Sequence, residues 1–170
     1  NIAGGGEWIE TRLLASGPRT NPWFRESSMR PIEKGDMVSF DTDLVGPYGY
    51  CCDMSRSWIC DAEPDEEQRR LYAEAYMQIQ DNKQLLKPGV TFREITEKLR
   101  PMADEFVPGR YGVAMHGVGL CDEYPAIYYP QDWEEHGNDG VMKAGMVMCV
   151  EALIGSHGGR EAVKLEEQVL

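Results

Sequence analysis

The chain has 170 residues, 42% hydrophobic and 27% charged, the size and balance of one globular domain with a substantial core. A formal charge of -12 at pH 7 repels a phosphate backbone over most of the surface and argues against nucleic acid as a partner. No stretch approaches the roughly 20 apolar residues that span a bilayer, and no apolar core of a signal peptide opens the chain, so the expectation is a cytoplasmic protein with no membrane partner.

Residues 37–44 (MVSFDTDL) alternate as a strand does, placing Val38, Phe40, Thr42 and Leu44 on one face and Ser39, Asp41 and Asp43 on the other. Two carboxylates therefore project together. The turn-forming Gly46-Pro47-Tyr48-Gly49 follows, and residues 50–59 (YCCDMSRSWI) read as the returning strand that brings Asp53 back toward Asp41 and Asp43. Residues 65–86 carry Leu71, Ala75 and Ile79 at fourfold spacing behind an acidic first turn and stop at Lys87-Pro88-Gly89, which predicts an amphipathic helix. A second helix opens at Thr91 with Glu94 three residues on, and turns Phe92, Ile95 and Leu99 inward until Pro101 ends it. Residues 130–140 are polar and read as a loop. The last hairpin is the most informative: residues 146–154 and 161–170 flank Gly155-Ser156-His157-Gly158-Gly159, and a turn centred between Gly158 and Gly159 sets Glu151 opposite Glu166. Like charges directly opposed across an antiparallel pair destabilise it, so positive charge belongs between them.

Asp41, Asp43, Asp53, Glu151 and Glu166, with His116 from a Gly-flanked segment, are too many acids to bury together without cations. Such a set suits two divalent metal ions, and its oxygen-rich donors with a single imidazole fit Mn, Fe, Co or Zn better than copper or a structural zinc. Five cysteines, an odd number with no C-x-x-C pair, are expected as free thiols; Cys51 and Cys52 beside Asp53 read as packing groups. His157 in the turn and His136 in the polar loop read as solvent-exposed. Arg56 is open between pairing with a site acid and binding a substrate carboxylate, and Trp8, Trp23, Trp58 and Trp133 are open between core and pocket lining.

Four stretches carry a resemblance over nearly the whole chain: Gly6-Glu7-Trp8 running into TRLLASG, Gly35-Asp36 leading into FDTD, GYCCDMSRSW at 49–58, and HGVGL with Glu123 and Pro125, followed by the last Glu in KLEEQVL. The sequence resembles the pita-bread metallopeptidases, among them methionine aminopeptidase, aminopeptidase P, prolidase and creatinase. That resemblance implies an α+β pita-bread fold, a curved antiparallel sheet with helices on its outer face, and a metal pair on Asp41, Asp53, His116, Glu151 and Glu166. It further implies that residues 1–170 are a catalytic domain truncated at both ends, with an amino-terminal domain of the full protein absent, and that the protein forms a homodimer.

Two positions depart from the peptidases of that family. Asp122 stands where they carry a second His before the Glu-x-Pro, and a carboxylate does not replace a neutral imidazole as a hydrogen-bond donor near pH 7 unless its pKa is raised. Asp43, where a small residue is usual, faces the same way as Asp41 and makes a sixth ligand. With FDTD, GYCCD and HGVGLCDEYP together, the chain is similar to the branch of the family turned to C–S cleavage, the dimethylsulfoniopropionate lyases of the DddP type. The resemblance implies a zwitterionic small-molecule substrate, iron as the favoured metal, and Asp122 as the base that removes the proton alpha to the substrate carboxylate, releasing dimethyl sulfide and leaving acrylate. Tyr111, five residues before His116, is the aromatic expected at the sulfonium end. The alternative is an Xaa-Pro aminopeptidase or prolidase, which would share the fold and the ligands.

Overall fold

Two short strands, β1 (Trp8–Ile9) and β2 (Leu14–Ser16), lie along one edge of β3 (Met37–Val45), and β4 (Cys51–Ile59) lies along the other; all pairings are antiparallel. The coordinates are a computed structural model that describes residues 5–23 and 25–170. β3 and β4 form the expected hairpin, with Asp41 opposite Ser55 and Asp43 directly opposite Asp53. Alternation along β4 buries Asp53, Ser55 and Ser57 and turns Met54, Arg56 and Trp58 outward.

The first helix, α1 (Glu66–Asn82), starts at a capping box in which Asp65 Oδ1 accepts from the Gln68 backbone N–H at 2.8 Å and Gln68 Oε1 accepts from the Asp65 N–H at 2.9 Å. It ends four residues before the expected Leu86, because the chain tightens into a 3-10 turn over Lys83–Leu85 ahead of Pro88. The second helix, α2 (Phe92–Lys98), has the reciprocal Thr91–Glu94 box read from the sequence and is shorter than the run to Pro101 suggested. Leu71, Ala75, Ile79, Phe92, Ile95 and Leu99 all enter the main core. Burying each of the larger ones contributes about 1.5–3 kcal/mol relative to exposure.

Strands β5 (Met115–Gly117), β6 (Ala126–Ile127), β7 (Met148–Ile154) and β8 (Val163–Val169) form a second antiparallel sheet in the order β6-β5-β7-β8. Between β6 and β7 the expected polar loop contains one helical turn, α3 (Trp133–His136), anchored because Trp133 is buried in the core. On β7 the even positions Met148, Val150, Ala152 and Ile154 meet the helices, and on β8 the odd positions Val163 and Leu165 do so. The opposite faces are left for Cys149, Glu151, Lys164 and Glu166, all buried. The β7–β8 register sets Glu151 opposite Glu166, as the turn position predicts.

The two sheets meet where β4 runs beside β8. Among the described residues no backbone ladder joins these strands; side chains do it instead. Ser57 Oγ donates to the Lys164 carbonyl at 2.8 Å, and the Gln168 side-chain oxygen accepts from the Asp53 N–H at 3.3 Å. Arg56 donates to the carbonyls of Ser55 and Glu166. It therefore clips main chain from the outer face, and among the described residues its hydrogen bonds go to backbone carbonyls and not to a site carboxylate. Of the four tryptophans, Trp23 and Trp133 are buried, and Trp58 borders an outward groove of about 640 Å³ with Tyr72 and Tyr76.

Candidate metal centre

The site forms where the inner faces of the two sheets converge. The β3–β4 hairpin contributes Asp41, Asp43 and Asp53, whose carboxylate oxygens lie within 4.8 Å of one another. From the other sheet, β5 brings His116, β7 brings Glu151 and β8 brings Glu166. His116 is fully buried, and its Nε2 lies 3.1 Å from Glu166 Oε1, 3.4 Å from Asp53 Oδ2 and 3.6 Å from Glu151 Oε1. All six residues expected to hold metal are thus gathered in one place.

Gly117 positions the rim. A Cβ there would come within 2.5 Å of Pro125 Cδ and of the Tyr124 carbonyl oxygen, so only glycine lets residues 121–125 fold back over β5. That fold-back places Asp122 Oδ1 3.8 Å from His116 Nδ1 and Glu123 Oε2 3.9 Å from His116 Nε2. Tyr111 is half-buried beside them, and its hydroxyl donates to Glu123 Oε1 at 3.0 Å.

One charged residue in this cluster is invisible to sequence reasoning. Lys164 is 1% exposed, and its Nζ lies 2.7 Å from Glu151 Oε2, 3.2 Å from Asp41 Oδ2, 3.3 Å from Glu166 Oε2 and 3.1 Å from Ser55 Oγ. The same ammonium sits 4.6 Å from the Tyr111 ring centroid, so one ring face already meets a cation. Lys164 shares the inward face of β8 with Glu166, two residues on. Cys149, on the site side of β7, is also within reach of Asp53, His116 and Glu166. All five cysteines are free.

The acids respond to this burial unequally. Asp53 is pushed up to about 10, by burial first and then by the charges of Glu166 and Asp43. Glu151 is pushed up to about 8, because burial outweighs the attraction of Lys164. Burial also raises Glu166, yet Lys164 and the hydrogen bond and charge of His116 prevail and bring it down to about 2. For His116 burial works against the charged form, but the Glu166 hydrogen bond and the charges of Glu151, Glu123 and Glu166 hold it at about 9. Asp122 is raised, chiefly by burial, against the lowering pull of the Glu123 N–H and His116. These acids are short of positive charge, and Asp41 Oδ1, Asp53 Oδ1 and Glu151 Oε1 are buried with no hydrogen-bond partner. Oxygen donors with one imidazole, several of them unsatisfied, fit divalent metal ions.

Three comparisons bear on this geometry. The profile of metallopeptidase family M24 matches residues 2–170. Two curated relatives named dimethylsulfoniopropionate lyase DddP, from Roseovarius nubinhibens and Roseobacter denitrificans, are 50% and 47% identical over 100% of the chain and 38% of their own length. An Xaa-Pro dipeptidase from Pyrococcus furiosus is 32% identical over 93% of the chain and 43% of its length. Among solved structures, the X-Pro aminopeptidase of Thermotoga maritima superposes with a TM-score of 0.79 at 25% identity, covering 97% of this chain and 45% of that one. The prolidase of Pyrococcus furiosus gives 0.79 at 28% identity, with 98% and 48% covered. The chain spans about two fifths of the length of the DddP relatives it matches. With its full-length match and its two sheets closing on an acid-and-histidine cluster, the chain belongs to metallopeptidase family M24.

Proposed function

We propose that this chain is the catalytic domain of a metal-dependent carbon–sulfur lyase that cleaves dimethylsulfoniopropionate to dimethyl sulfide and acrylate. The observation that carries the reading is Asp122, a carboxylate at the rim of the acid cluster whose pKa is raised by burial. A raised carboxylate is a stronger base at neutral pH and is matched to removing a proton from carbon. The Glu123 N–H donates to Asp122 Oδ1 at 3.1 Å, and His116 Nδ1 on β5 lies 3.8 Å from the same oxygen, which keeps Asp122 near the cluster. The 50% and 47% identities to proteins named as this lyase support the same assignment.

Asp41, Asp43, Asp53, His116, Glu151 and Glu166 would hold two divalent ions, with iron favoured. Bound there, the ions would supply positive charge to capture the propionate carboxylate and to make the adjacent C–H more acidic. Asp122 takes that proton, the C–H electron pair becomes the new C=C bond, and the C–S pair leaves with dimethyl sulfide. The proton then passes to solvent. Tyr111 would be the aromatic group that meets the sulfonium end of the substrate. The full-length protein is expected to act as a cytoplasmic homodimer, with the rest of its sequence outside this domain.

The test is headspace gas chromatography for dimethyl sulfide from full-length, metal-loaded protein and its Asp122→Asn variant. Wild type should release the gas, and the variant should lose roughly 10²–10⁴-fold in rate with unchanged metal content. Hydrolysis of Xaa-Pro dipeptides without any dimethyl sulfide would replace the lyase reading with a peptidase one.

A further inference from the structure

Among the described residues, Lys164 is the largest fully buried side chain. A lysine so placed loses its hydration, a cost of several kcal/mol that a methionine of similar length would avoid. Its ammonium instead meets three of the expected metal ligands within 3.3 Å, and Ser55 besides. Those contacts use all three of its protons and fix the charge in place.

The charge count explains what such a group does. Asp41, Asp43, Asp53, Glu151 and Glu166 carry five negative charges when ligating, His116 is neutral as a ligand, and Lys164 adds one positive charge. Four negative charges remain, the number that two divalent ions neutralise. Asp122 and Glu123, at the rim of the cluster, are not among the expected ligands and stand outside this count. In a buried site an uncompensated unit charge is the costly outcome, so the count discriminates between ions of different charge.

Resting on the metal-pair reading above, we infer that Lys164 is a fixed counter-cation that matches the cage to two divalent ions and disfavours a trivalent one. Lys164 is on this view a positioning residue that sets the charge, and so the preferred oxidation state, of the metal pair.

The experiment is a competition between Mn2+ and Ga3+, both buffered by nitrilotriacetate, in the full-length protein, with bound metal counted by elemental analysis after gel filtration. Wild type should hold two Mn2+. Lys164→Gln should move the ratio toward Ga3+ by at least roughly tenfold, the low end for one unit charge a few Å away in a protein interior. Lys164→Arg should keep the wild-type ratio, and adding Asp43→Asn to Lys164→Gln should restore it, because the amide keeps the donor oxygen and removes the extra charge. An unchanged ratio in Lys164→Gln, or a shift that Asp43→Asn does not reverse, overturns the inference. If Lys164→Gln fails to fold, Asp43→Asn alone must move the ratio toward Mn2+, and no movement overturns the inference equally. Wild type that binds neither ion would instead defeat the metal-pair reading itself.

Discussion

Glu151, Asp53 and His116 give the centre a pH signature of known sign. Held near 8, 10 and 9, these groups bind protons in the folded chain that their unfolded counterparts have released, over the interval from roughly pH 4 for the acids and 6.5 for the imidazole. Where the folded state holds more protons, stability falls as pH rises. Metal-stripped protein should therefore unfold at lower urea concentration near pH 9 than near pH 6, whereas Mn2+ affinity should increase over the same range, since ligation displaces these protons. Calorimetry in two buffers of different ionisation enthalpy measures the release directly; binding without released protons would contradict it. The facing of Asp41 and Asp43 was legible from strand alternation, the return of Asp53 from the turn at 46–49 and the pairing of Glu151 with Glu166 from the Gly158-Gly159 turn, while His116 was legible from its Gly-flanked motif. Lys164 was not, since a lysine in a sequence reads as solvated surface, and its burial depends on Glu166 of its own strand and on acids that arrive from two others, Asp41 of β3 and Glu151 of β7. Glu123 and Cys149 escaped for a related reason: their approach to His116 follows from the turn at Gly117 and from the β5–β7 pairing, neither of them a local pattern.

At the scale of elements, the two hairpins and two helices were written locally and the short pieces were not. Hairpin register follows from the turn, so the facing of Glu151 and Glu166 could be counted off the sequence. β1, β2 and β6 have two or three residues each and acquire strand geometry only from their partners. Asp43 stands directly opposite Asp53 on the β3–β4 hairpin and is raised by burial and by the charges of Asp41, Asp122 and Glu166, so without metal its own charge is destabilising. In excess chelator, Asp43→Asn should stabilise the protein by about 0.2–1 kcal/mol. With Mn2+ present it should lose that advantage and show lower metal occupancy; a variant less stable than wild type in chelator would refute the point. The capping box at Thr91 is tested separately: Thr91→Ala should cost about 1 kcal/mol in urea unfolding with no change in metal content.

For the molecule as a whole, the arrangement links ligand binding to cohesion. Asp41, Asp43 and Asp53 come from one sheet and His116, Glu151 and Glu166 from the other. Ions that bind only this folded arrangement stabilise it by mass action, about 2.7 kcal/mol per site at a hundredfold excess over Kd. Thermal unfolding should accordingly shift upward with Mn2+ and downward with chelator in wild type, and the shift should shrink in Glu166→Gln. An equal shift in that variant would place the stabilising ion elsewhere.

The β4–β8 seam, held by serine, glutamine and arginine contacts in place of a backbone ladder, has a physiological consequence. Among the described residues no backbone ladder crosses it, and ions held by residues of both sheets would act as rivets across it. A cell short of metal would expose that line to its proteases, so the amount of enzyme, and not only its activity, would follow metal supply without any change in transcription.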